Sequence, residues 1–150
     1  MANDLRVEKK QEQVGLFMAD GVVIEATVFL AQYAMLHSGE QTVLDLLLEE
    51  DPFLPAKAGA GKFHLVRKGM ISHIRCHVEL DEVLEYTERE IKISFLGGEI
   101  LQGNVKMDLP SHSARLTDYI NGGSAFFPLF CGDDSYLVNR SLVRDLVLID

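Results

Sequence analysis

A pattern of residues that runs through the chain twice constrains its fold more than any single motif does. Val14 to Leu30 aligns with Ile91 to Met107 at a constant offset of 77 residues, so that Leu16 meets Ile93, Gly21 meets Gly98 and Val28 meets Val105. Thr42 to Pro55 aligns with Arg115 to Pro128 at offset 73, bringing together Asp45 and Asp118, Phe53 and Phe126, and Pro55 and Pro128. Phe63 to Ile74 aligns with Ser135 to Leu146 at offset 72. Identities are few, seven over 43 aligned positions, so the weight rests on order. Apolar alternation, glycine turn, Asp-centred apolar cluster, Phe-x-Pro and closing apolar pairs recur in the same sequence, the signature of an internal repeat.

Each pass through the pattern predicts the same elements. Val14, Leu16, Met18 and Ile91, Ile93, Phe95 alternate with period two, as half-buried strands do. Asp20-Gly21 and Gly97-Gly98 follow directly and supply the positive φ of tight hairpin turns. Ser38 with Gln41 predicts a capping box for a short helix over Val43 to Leu48, and Ser113 predicts the analogous cap of a second helix ended by Asn121-Gly122-Gly123. Strands are expected around Phe53, over Phe63 to Arg67 and over Met70 to Ile74, then over Phe126 to Phe130, Tyr136 to Asn139 and Leu142 to Ile149. The expected fold is α+β and β-rich. It consists of internally duplicated ββαββ(β) units, as antiparallel sheets or small barrels packed with pseudo-twofold symmetry, like an isologous interface made covalent. The units are residues 14–75 and 91–150, with a polar arm over 1–13 and an acidic joint over 76–90. Of the residues from His77 to Glu90, six are acidic and one is Arg.

Charge and cysteine usage narrow the class of function. With 150 residues and a net charge of −9, the chain lacks the Lys and Arg excess that nonspecific nucleic-acid affinity needs, and an RNA-binding small barrel is disfavoured. Met1 to Gln13 reads as neither signal nor transit peptide, and no apolar run reaches membrane-span length, so a cytoplasmic protein with no membrane partner is expected. Cys76 and Cys131 stand alone, which predicts reduced thiols and no zinc knuckle.

Candidate chemistry is sparse. Ala58-Gly59-Ala60-Gly61-Lys62 lacks the first glycine and the Ser or Thr of a phosphate-binding loop, and reads as a hairpin tip. Gly132-Asp133-Asp134 reads as a solvated turn without calcium-loop spacing. His73, Arg75 and His77 alternate on a strand, which holds the two histidines too far apart for one metal. Asp45 and Asp118 are the polar identity of the repeat; near helix N-termini they face backbone donors, whereas a catalytic pair requires them to converge. The positions Gly21, Gly98, Asp45, Asp118, Phe53, Phe126, Pro55 and Pro128 are thus read as fold-related. Arg115, Asp118 and Asn121 form a polar stripe on the second helix and are the candidate ligand or partner contacts.

No catalytic residue, cofactor or metal is assigned. The expected function is a non-enzymatic interaction or regulatory module with a protein partner, a homo-oligomeric state, or both. Two alternatives belong to other classes: a small-ligand sensor binding between the repeats, where Arg115, Asp118 and Asn121 would line the cleft, and a small hydrolase using acidic residues.

Overall fold

The computed structural model describes residues 9–31, 39–81, 84–108 and 115–149. The helix caps expected at Ser38 and Ser113 lie outside the described residues. Strands β1 (Lys9–Met18) and β2 (Val23–Ala31) make the first hairpin, around Gly21 at φ 89°. Their alternation puts Val14, Leu16, Val28 and Leu30 inward, each almost wholly buried. Helix α1 (Val43–Leu48), β3 (Phe53–Ala58), β4 (Lys62–Arg67), a 3₁₀ turn over Lys68–Met70 and β5 (Ile71–Arg75) follow. Then come β6 (Thr87–Phe95), β7 (Ile100–Met107), α2 (Leu116–Gly122), β8 (Phe126–Cys131), β9 (Asp134–Asn139), a 3₁₀ turn over Arg140–Leu142 and β10 (Val143–Leu148).

The expectation of an α+β fold of duplicated ββαββ(β) units is corrected by this architecture. Among the described residues the protein is mostly β, 56% strand against 15% helix, and ten strands form one open antiparallel sheet. The physical reason is helix length: α1 has six residues and α2 seven, too short to cover a sheet face as a second layer. Pseudo-twofold packing is also overturned. The strand order is β10-β6-β7-β8-β9-β5-β1-β2-β3-β4. Each five-strand run has its closing strand (β5 or β10) at one end and its fourth strand (β4 or β9) at the other. The runs meet through β9 and β5, two non-equivalent edges, where a twofold would pair equivalent ones.

Register at the junction is Ile74 opposite Leu137, with His73 opposite Val138 and Arg75 opposite Tyr136. The core divides unevenly across it. Val14, Leu16, Leu47, Leu54, Val66, Ile71 and Ile74 form one cluster, and Phe126 and Leu137 from the second run are packed into it. Ile91, Ile93, Phe95, Val105, Met107, Phe127, Leu129 and Val138 form the other. Helix α1 packs against β8 across the junction and buries Val43, Leu46 and Leu47; α2 has no fully buried residue. Two basic residues hold the helix C-termini down: Lys68 Nζ donates to the Glu49 carbonyl at 3.1 Å, and Arg140 Nη1 donates to the carbonyls of Gly123, at 2.8 Å, and Ser124.

Candidate functional site

The two helix aspartates sit in different surroundings. Asp45 is a cap: its carboxylate accepts from the Thr42 N–H at 2.8 Å while its own N–H donates to Thr42 Oγ1 at 3.2 Å. The capping box therefore starts at Thr42, four residues after Ser38. Gln41 instead accepts from the Ala31 N–H and donates to Glu49. Asp118 sits in the first turn of α2, exposed, and the N-cap Arg115 makes no side-chain cap bond. The two aspartates differ in environment because only α1 has a hydroxyl at its cap. Arg115, Asp118 and Asn121 all lie exposed along α2, and the structure assembles no pocket wall from them at the cavity described below. α2 ends at Gly122; its C-cap Gly123 has φ −97°, so the helix does not end on a left-handed glycine, and Arg140 donates instead to the Gly123 and Ser124 carbonyls just beyond it.

The hairpin readings of the glycine-rich segments are visible in backbone angles. Gly59, Ala60 and Gly61 all have positive φ between β3 and β4, and Gly98 has φ 91° between β6 and β7. Phe53 and Phe126 occupy matching places on β3 and β8. Pro55 opposes Leu65 as Pro128 opposes Leu137.

His73, Arg75 and His77 do not converge. Arg75 pairs with Glu25 at 2.6 Å, and His77 lies 3.2 Å from Glu79 at the surface. His73 is 4% exposed and stacked between Phe17 and Phe95, with ring centroids 4.4 and 4.7 Å away. Ser72 Oγ lies 2.9 Å from its Nδ1. Burial lowers the His73 pKa to about 4, so the ring is neutral near pH 7, and the Glu99 carboxylate at 3.8 Å is a neighbour without an ion pair. Burial also pushes the Cys76 thiol up to about 12 and raises Cys131, which disfavours the thiolate at both free cysteines. Among the described residues no group of three His, Cys, Asp or Glu is placed to hold a metal, and no helix is long and apolar enough to cross a membrane.

Sequence reasoning missed a concave feature at the β4 end of the sheet. A cavity of about 940 Å³ opens beside β4, walled by Phe29, Phe53, Phe63, Leu65, Lys57 and Lys68 among others. Phe29 and Phe63 stack with centroids 5.9 Å apart, Lys57 lies over Phe29, and Arg67 covers Phe53 at 4.5 Å. Phe63 and Leu65 are 62% and 68% exposed, although they sit on a strand within hydrogen-bonding register. Residues 52–72 carry four Lys or Arg and no acid, a basic stretch in an acidic chain. The signal available in the sequence was Leu65 and Phe53 matching Leu137 and Phe126, apolar positions that only one end of the sheet buries.

Comparison of the chain with protein-family models, with curated proteins and with solved structures finds no match.

Proposed function

We propose that this chain is a non-enzymatic protein-interaction module whose working surface is the cavity beside β4 together with the open edge of that strand. One observation carries the reading: large apolar side chains, Phe53, Phe63 and Leu65, stand exposed around a 940 Å³ concavity next to a strand edge that pairs with no other strand among the described residues. Exposed apolar clusters of this kind mark association surfaces, and an open strand edge offers main-chain donors and acceptors to an incoming strand. The basic flank of residues 52–72 favours an acidic partner.

The test is association of the purified chain with and without Leu65→Asp. A partner bound stoichiometrically by the unmodified chain and lost with the variant, at unchanged circular dichroism, supports the reading. A chain that binds no protein, itself included, overturns it.

The same cavity favours a second reading, a small-ligand site, because its wall combines aromatic faces with Lys57 and Lys68. On this reading the site lies on the first run, away from Arg115, Asp118 and Asn121. A nucleotide at 100 times its dissociation constant would stabilise the chain by about 2.7 kcal/mol in a thermal-shift screen. No shift across nucleotides and carboxylate metabolites would remove this alternative.

A further inference from the structure

The β5·β9 junction is a contact between the closing-strand end of one five-strand run and the fourth-strand end of the other. The protein retains one unused copy of each end: β10, which among the described residues pairs with β6 alone, and β4, which pairs with β3 alone. We propose that β10 of one copy pairs antiparallel with β4 of a second copy, repeating the internal junction between chains and assembling the protein head to tail. The proposal rests on the interaction-module reading and names its partner as a second copy of this chain.

The matching positions fit in detail. Leu146 stands opposite Ile93 on β6 as Ile74 stands opposite Leu16 on β1, and both closing strands carry an irregularity at the same place. Leu65 opposes Pro55 as Leu137 opposes Pro128. Transferring the observed pairing of Ile74 with Leu137 sets Leu146 opposite Leu65 of the second copy, with Asp145 opposite Val66 and Val147 opposite His64. The internal junction joins the Cys76 N–H to the Ser135 carbonyl at 3.1 Å and Asn139 Nδ2 to the Ile71 carbonyl at 2.9 Å. Their counterparts are the Leu148 N–H with the Phe63 carbonyl, and Arg67, also a donor, with the Val143 carbonyl.

Burial tells the same story. Leu137 is 1% exposed against 68% for Leu65, and Phe126 is 4% exposed against 37% for Phe53. Ile74 is fully buried, whereas Leu146 is only half-buried and Val147 and Leu148 are about half exposed. At the internal junction Phe126 and Leu137 complete the core of the neighbouring run under α1. The cavity beside β4 is therefore the space that a second copy's α2 would fill, bringing the half-buried Leu116, Tyr119 and Ile120 onto Phe53 as α1 packs onto β8. A heterologous contact of this kind repeats from copy to copy, giving a ring if the rotation closes and an open filament otherwise.

The test measures mass in solution over a range of concentrations, using the full chain and two edge variants. Leu65→Asp blocks the β4 end at an exposed position. Leu148→Pro removes the outward N–H of β10, a substitution edge strands tolerate, with Leu148→Lys as the replacement if the proline variant misfolds. The unmodified chain is expected above its 16.8 kDa monomer mass, and each variant at that mass. An equimolar mixture of the two variants is expected to yield a species of twice that mass, because each retains the end the other lacks. A monomeric unmodified chain, an oligomer that survives both variants, or a mixture that stays monomeric overturns the proposal. If a monomeric chain still loses a different protein partner on Leu65→Asp, self-pairing fails while the interaction-module reading stands; a monomer that binds nothing ends both.

Discussion

The internal junction and the free ends of the sheet are built from matching positions and differ in what covers them. At β5·β9, Leu137 and Phe126 are buried, Asn139 bridges to the Ile71 carbonyl and His73 is sealed between two phenylalanines. At β4, Leu65 and Phe53 stand in solvent and Arg67 lies over Phe53. What differs is the neighbour, since strand, register and apolar residue type are shared. Exposure of an apolar side chain here is a property of sheet position, and a sequence pattern that repeats does not repeat its burial.

The sharpest way to break the comparison is to truncate both leucines. Leu137→Ala should cost about 2–5 kcal/mol, the range for emptying a buried leucine site. Leu65→Ala, assayed by urea unfolding of the dilute monomer, should cost less than about 0.5 kcal/mol, as for surface changes. Equal losses would mean that Leu65 is already covered within one chain.

Acid should act next, through His73. Its folded pKa of about 4 lies below the ordinary 6.5, so the neutral ring is favoured in the fold. Stability from this group is complete above pH 6.5 and is lost as pH falls toward 4, up to about 3 kcal/mol at about 1.4 kcal/mol per pKa unit. His73→Phe keeps the ring stack and should flatten that part of the pH–stability curve. An unchanged slope between pH 6.5 and 4 would mean that the ring is open to water.

The smallest contrast concerns the polar end of the junction. Asn139 donates to Ile71 and accepts from the N–H and hydroxyl of Ser141, so Asn139→Ala should cost about 1–3 kcal/mol. Arg67→Ala at the matching free position should stay within about 0.5 kcal/mol in the dilute monomer. Similar values at both sites would dissolve the distinction between closed and open ends.

Much of the local structure was legible because it is local. Asp20-Gly21 and Gly97-Gly98 gave the hairpin turns, and both Gly21 and Gly98 take the positive φ those turns need. The helix over Val43–Leu48 followed from its apolar spacing, but its cap was misplaced because Thr42-Asp45 and Ser38-Gln41 satisfy the same pattern four residues apart. Strand partnership was not legible. Whether β5 turns to β9 or to its own equivalent depends on long-range packing of Phe126 and Leu137, and nothing in alternation encodes a partner. The site was hidden for the same reason: Arg115, Asp118 and Asn121 attract attention as polar residues, whereas the large apolar side chains of the cavity wall, Phe29, Phe53, Phe63 and Leu65, are indistinguishable in sequence from core.

The placement of Phe126 and Leu137 in the first core has a consequence in time. During synthesis, the first five strands emerge before the two side chains that complete their interior have been made. Until β8 and β9 arrive, the nascent chain carries an unfinished interior and an open β5 edge. Of the two runs, the one made first is thus the one that must wait, and that interval is when β5 is exposed to mispairing with another nascent chain.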